Sequence, residues 1–320
     1  MAGTITPGST NYDGELDGFL YDVIQDGADF LTPEVASAYQ KTGVRKKEQL
    51  DRIVYDANPF EDYTTGNPTF ASGADKNKRD IEPKKMTLSG TIEPDEWLAE
   101  WDRYAPDGNL TNLMANPTFL RRVLDLALNA GWTQLADLYW QGDVTAGAAN
   151  PLRFFDGIVT KVIADSDTDV TFVTPAGVIT QANIVDRLID CYKAMPDKFL
   201  KDPNYKFNVS VADYKLLQLY NTDVKKTTVG VLDQVIMNMF MEQRIVPSLG
   251  FPKDHILGTH SSLTPDSNLV FANYFSLDAE FQGIQVAKTA NLGKVYGYRV
   301  DFMADAQYRA GADILLYKPV

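Results

Sequence analysis

The chain opens on apolar and acidic positions that keep no period. Up to residue 40 its larger apolar side chains, Phe19, Leu20, Val23, Ile24, Phe30 and Leu31, are too sparse for a core of their own. They are too frequent for an inert tail, so the stretch reads as an arm, either partly helical or matched to an apolar partner on another subunit. Between Gln49 and Pro94 the pattern turns to strands. Ile53, Val54, Tyr55, Phe60 and Tyr63 lead into a polar stretch over 64–80, and the chain returns through Met86, Leu88, Gly90 and Ile92 with period two. This predicts an extended hairpin around a hydrophilic tip. A two-stranded ribbon is marginal in water, so the sequence expects this one to lie on something.

A long helix follows. Asn116 is a good N-cap and Pro117 suits the first helical position, where its missing N–H costs nothing. Leu120, Val123, Leu124, Ala127, Leu135, Leu138 and Tyr139 then recur at three- and four-residue spacing, with Gly131 the point where the helix would bend. Carried to about Trp140, it would span roughly 36 Å. A turn-forming stretch over 142–151 ends it. Beyond this, strands are expected at 157–164, 170–173, 207–211, 244–246, 255–257, 269–275, 284–287, 295–302 and 314–317, with a polar turn at 165–169. Helices are expected from Thr180 to Pro196, through Leu216, Leu217 and Leu219, and over about 231–241. The class is α+β, with two lobes and no repeat.

Charge sharpens the arm. The 320 residues carry 30 basic and 43 acidic groups, a net −13, and the first 40 residues hold seven acids (Asp13, Glu15, Asp17, Asp22, Asp26, Asp29, Glu34) with no Lys or Arg. An acidic chain with a pI near 4.6 does not wrap nucleic acid electrostatically. No signal peptide or membrane-length apolar run is seen, so synthesis in a cytoplasm is the expectation.

Candidate chemistry is thin. One cysteine, Cys191, excludes an internal disulfide and reads as a packed helix residue. His255 and His260 stand five apart, a spacing that neither strand nor helix turns into a metal pair. Asp165-Ser166-Asp167-Thr168-Asp169 begins like a calcium loop, but Val170 stands where glycine is needed and Ala176 where a closing glutamate is needed. The glycines at 142 and 147 fit neither a phosphate loop nor a dinucleotide fingerprint. Asp95/Glu96 and Glu61/Asp62 are neighbours that regular structure points apart. Lys76, Lys78, Arg79, Lys84 and Lys85 are interleaved with Asp75, Asp80 and Glu82, a mixed cluster unlike a nucleic-acid patch. No catalytic residue, cofactor or metal is expected, and the function is placed in contacts between copies.

The order of elements resembles the major capsid proteins of tailed bacteriophages, the HK97-like fold. That family runs from an N-terminal arm to an extended hairpin (the E-loop), a spine helix, an axial domain and closing peripheral strands. Leu138-Tyr139-Trp140-Gln141-Gly142-Asp143-Val144-Thr145, then Gly157-Ile158, is similar to the family's step from spine helix into a Gly-Asp-Gly-Thr-type turn, with Val144 for the second glycine and 152–156 as extra residues. Phe207-Asn208-Val209-Ser210-Val211 before a Leu-rich helix, Leu249-Gly250-Phe251-Pro252, the strand at 269–275 and the ending from Tyr298 to Tyr317 follow in the family's order.

The resemblance implies an arm at 1–48, an E-loop at 49–94, a peripheral domain with the spine helix at 95–156, an axial domain at 157–290 and closing strands at 291–320. It implies a subunit that assembles with itself as hexamers and pentamers into the icosahedral head of a double-stranded DNA phage, made in the bacterial cytoplasm and ending in the virion. Packaged DNA would be enclosed but not specifically bound. A portal, a separate scaffolding protein and decoration proteins are the further partners, with no membrane. Inter-subunit contacts are expected at Asp13, Asp17, Phe19, Tyr63, Lys76, Lys78, Arg79, Lys84, Lys85, Gly142 and Asp143, partly as salt bridges. Three other readings stay open: an encapsulin-type cellular cargo shell of the same fold, a head-completion or tail protein, and a hydrolase whose carboxylates converge from distant positions.

Overall fold

The structure, a computed structural model, describes residues 29–33, 35, 37–55, 74–92, 131–165, 169–175, 177–227, 239–274, 284–288 and 296–319. Its strands are β1 (Tyr39–Thr42), β2 (Glu48–Tyr55), β3 (Ala74–Ile81), β4 (Lys84–Ile92), β5 (Thr171–Val173), β6 (Tyr205–Ser210), β7 (Met239–Phe240), β8 (Gln243–Ser248), β9 (Ile256–His260), β10 (Leu269–Tyr274), β11 (Ile284–Lys288), β12 (Tyr296–Tyr308) and β13 (Ile314–Tyr317). The helices are α1 (131–141), α2 (Ile158–Ala164), α3 (Ile184–Ala194) and α4 (Val211–Thr227).

Two sheets form the body. In the first, β12 is the axis: β10 and β11 follow one another along one of its edges, and β4 pairs antiparallel with the other over nine residues, Lys84↔Ala304 to Ile92↔Tyr296. β1 adds to β10 in parallel. The second sheet runs β5-β13-β9-β6-β8-β7, with β6 and β8 parallel and β6 and β9 antiparallel. Strand alternation lets this sheet serve two cores. Ile314 and Leu316 of β13, with Leu257 of β9, face the core of α1, α2 and the first sheet. Leu315 and Tyr317, with Ile256, face the core under α3 and α4. A run apolar at every position is what a strand covered on both faces requires.

In α1, Trp132, Leu135, Ala136, Leu138, Tyr139 and Trp140 are buried at helical spacing, and the apolar step Tyr139-Trp140 seats against Phe30, Phe271 and Phe251. The expected helix start at Asn116-Pro117 lies outside the described residues. α3 ends where Met195 caps it ahead of Pro196, as expected.

Three expectations need correction. The returning strand of the hairpin is β3, which pairs with β2 from Glu48↔Ile81 to Tyr55↔Ala74. Met86 to Ile92 do form a strand, but it belongs to the first sheet, because Met86 packs inward with Trp132 and Phe302 while β12 offers it a full-length edge. Residues 158–164 are helical and not a strand: Ile158, Val159 and Val162 are buried on one helical face and Lys161 reaches Asp305, so tertiary contacts override β-branched propensity. Finally, Met239 and Phe240 form a short strand. It turns back into β8 through Met241 (φ 47°) and Glu242 (φ 70°), a two-residue hairpin without the usual Asn-Gly signal. The rest of the helix expected over about 231–241 lies outside the described residues.

Candidate functional site

The end of α1 is folded against the start of α2. Gly142 closes the helix by donating to Leu138 O (2.9 Å), and its own carbonyl accepts the Gly157 N–H (2.9 Å). A Cβ on Gly142 would lie 2.1 Å from the Phe155 carbonyl oxygen, and one on Gly157 would lie 2.5 Å from the Trp140 carbonyl carbon. Two backbones this close admit only glycine. Between them the turn holds itself: the Asp143 carboxylate accepts the Thr145 N–H (2.8 Å) and hydroxyl (2.6 Å), and Asp156 accepts the Val144 N–H (2.9 Å). Those Thr145 bonds keep the Asp143 carboxyl below its usual range.

Beside this corner lies an open groove of about 620 Å³, where Asp143 and Asp156 meet Lys161 and Ile163 of α2, Asp165 and, from β3, Arg79. Its cations are held within the subunit. Arg79 pairs with Asp165 at 2.6 Å and lies 4.1 Å over the ring of Tyr308, whose hydroxyl donates to the same carboxylate. Lys161 binds Asp305 at 2.9 Å and also donates to the Ala306 carbonyl. Asp305 further accepts the N–H groups of Glu82 and Ala306 (2.9 and 2.8 Å). Burial raises the Asp305 carboxyl despite these partners, with Lys161 the strongest opposing influence. Ile163 and the nearby Val144 leave large apolar side chains exposed on this side.

The same residues fasten the β2–β3 ribbon. Leu50 and Ile81 at its base are buried with Val44, Val270 and Ala272, and Gln307 donates to the Asp80 carbonyl at 2.9 Å. Further out the ribbon turns polar, with Asp51 and Lys78, an opposed pair of positions, both exposed.

The predicted contact residues divide accordingly. Arg79 and Gly142 are used inside the subunit, one as a brace and the other as a close backbone crossing. Lys84 is exposed and pairs locally with Glu82 at 3.1 Å. Lys78 and Lys85 are exposed, and Asp143 is half-buried. Lys76 lies on β3 opposite Ile53, but its side chain is outside the described residues, as are Asp13, Asp17, Phe19 and Tyr63. Sequence reasoning missed Lys161, Asp165, Asp305 and Tyr308, because partners more than 140 residues apart leave no local pattern.

No array for catalysis is assembled among the described residues. His260 is held between Asp202 at Nδ1 (2.5 Å) and Asp266 at Nε2 (3.5 Å); opposite ring nitrogens cannot share one metal, and no cluster of three or more metal-ligating side chains occurs among those residues. Asp165 of the calcium-like stretch is already bonded to Arg79 and Tyr308. Burial pushes the Cys191 thiol far above its usual range, which leaves it inert. No helix among these residues is long and apolar enough to cross a membrane.

No protein-family model matches the chain, and no curated protein matches it in sequence. Solved structures do. The chain is similar to one in the satellite phage P4 procapsid that includes the size determination protein Sid, with 16% identity and a TM-score of 0.61 over 99% of this chain and 92% of that one. The virus-like particle from Pyrococcus furiosus matches at 9% identity and TM-score 0.50, covering 94% and 96%. The capsid of an empty GTA particle matches at 11% and 0.50, covering 88% of each. Across identities this low it is the path of the backbone that is shared, and the fold of this chain is that of phage capsid proteins.

Proposed function

We propose that this chain is the major capsid protein of a tailed double-stranded DNA bacteriophage, a subunit of HK97-like fold that assembles as hexamers and pentamers into an icosahedral head. The observation that carries this reading is the likeness to the P4 procapsid chain along nearly the whole of both chains. The ribbon of β2 and β3 takes the place of the E-loop, α1 the end of the spine helix, the first sheet the peripheral domain and the second the axial domain. A ribbon whose described buried side chains, Leu50 and Ile81, lie at its base suits an element that extends over a neighbour, and the groove beside it, with exposed Ile163 and half-buried Asp143, is an available contact surface. The role is structural and not enzymatic. Portal, scaffolding and decoration proteins would be its partners. A net charge of −13 suits a wall that surrounds DNA without holding it.

A second reading, an encapsulin-type cargo shell, is supported by the two-way match to the Pyrococcus furiosus particle. Electron microscopy of the purified protein, produced alone and together with the genes beside its own, tests both. Closed icosahedral shells support a shell subunit, and monomers under every condition overturn it. A portal vertex at one corner selects the phage head, whereas co-purified cargo enzyme inside a portal-free shell selects the cellular compartment.

A further inference from the structure

Residues 29–33, 35, 37 and 38 lie across the body as a strap. It includes the 3-10 turn Asp29–Leu31, where the Phe30 ring stacks on Tyr139 at 4.0 Å and meets Phe271 edge-on at 5.2 Å. Near its other end the Ser37 hydroxyl donates to Asn208 Oδ1 at 2.6 Å, just before β1 joins the first sheet. Two ionisable side chains touch the strap from within. Asp29 Oδ2 accepts the Leu249 N–H at 2.5 Å, while Oδ1 is buried with no partner among the described residues. Under the strap, Lys206 of β6 is 4% exposed and donates from Nζ to the Val35 carbonyl at 3.4 Å.

We propose that Asp29 and Lys206 make this strap a pH-gated clasp, held most weakly near neutrality and more tightly on either side. The cause is burial of two opposite charges that are not bonded to each other. For Asp29, burial outweighs the Leu249 and Phe30 N–H groups and brings the carboxyl up to about 6. For Lys206, burial and then Arg244, opposite it on β8, bring the ammonium down to about 8. Other ionisable groups among the described residues of the surrounding elements include Asp137 and Tyr139 of α1, Lys253 and Asp254 beyond β8 and, on β9 beside β6, His260, which is held by Asp202 and Asp266.

The signs follow from which state holds the proton. A raised carboxyl favours the closed strap at low pH, and that contribution is lost as pH climbs through about 6. A lowered ammonium favours the closed strap at high pH, and that contribution is lost as pH falls towards about 8. Between the two values both groups are charged and buried, and the strap opens most easily. Linkage gives each limb roughly a tenfold change in the opening equilibrium over two pH units.

The clasp is a property of the subunit and does not rest on the capsid reading. Hydrogen exchange of the full chain between pH 5 and pH 9, corrected for intrinsic exchange rates, tests it. Protection of residues 30–42 should be lowest near pH 7 and roughly tenfold higher at pH 5 and at pH 9. Asp29→Asn, which keeps the shape, should flatten the acid limb alone, and Lys206→Met the alkaline limb alone. A flat profile in the unaltered chain, or an acid limb that survives in Asp29→Asn, overturns the proposal, whether or not Lys206→Met folds.

Discussion

Strand β6 and the ribbon strand β2 are close in length, yet they are supported in opposite ways. All six residues of β6 are buried, with strands on both edges: Tyr205, Phe207 and Val209 enter the core under α3 and α4, and Lys206, Asn208 and Ser210 are buried polar groups on the other face. In the ribbon, the described side chains are buried only at Leu50 and Ile81, next to the body, and alternate with exposed Gln49, Asp51, Lys78 and Asp80. The body supplies its own burial. The described part of the ribbon has an anchor at its base, and two strands without a second layer are marginal by themselves. The body's stability comes from packing on several sides, whereas the described support of the ribbon comes from its base.

Substitutions should grade along that difference. The largest effect is expected at the corner. Gly142→Ala sets a methyl 2.1 Å from a backbone oxygen that cannot move without dislodging α1 from α2, and a cost of about 3 kcal/mol or more should appear as a lowered urea midpoint. A comparable loss is expected from Lys161→Met, which strands the buried Asp305 carboxylate. Breaking one side of such a pair costs about 3 kcal/mol, and because burial already raises the Asp305 carboxyl, the deficit should shrink as pH falls and that group takes a proton. Stability against urea at pH 5 and pH 8 reads this directly, and an equal deficit at both would contradict it. The smallest effect is expected at Lys84→Ala, whose exposed pair with Glu82 is worth at most ~0.5 kcal/mol. A melting temperature within a degree of the unaltered chain checks it, so any assembly defect in that variant would report a contact between copies.

The same contrast explains what could be read from the sequence. Ile314–Tyr317 is apolar throughout, and Leu269–Tyr274 apolar at all positions but Asn273, because both faces are covered, and burial of that kind is visible locally. Helix α3 was visible through its apolar spacing and Pro196. The helix at 158–164 was hidden because its β-branched residues favour a strand and only the distant partner Asp305 argues otherwise. The partner of β2 was misassigned because Met86, Leu88 and Ile92 carry the clearer alternation, while the true partner, Ala74–Ile81, is mostly polar. Of the candidate contact residues, Lys78 and Lys85 are exposed. That Arg79 is turned inward depends on Asp165 and Tyr308, which no spacing in the sequence connects to it.

The ribbon is also where the central claim is most open to test. Because Arg79 and Ile81 belong to the anchor, a deletion should spare the base: residues 53–76 replaced by Asn-Gly would join Arg52 to Asn77, which already face each other, through a two-residue turn. Electron microscopy of this variant beside the full chain, with thermal unfolding of both, is the measurement. A shell subunit predicts closed icosahedral particles from the full chain, and from the variant a folded protein of nearly unchanged melting temperature that forms none. Normal shells from the shortened ribbon, or monomers from both proteins, would contradict it.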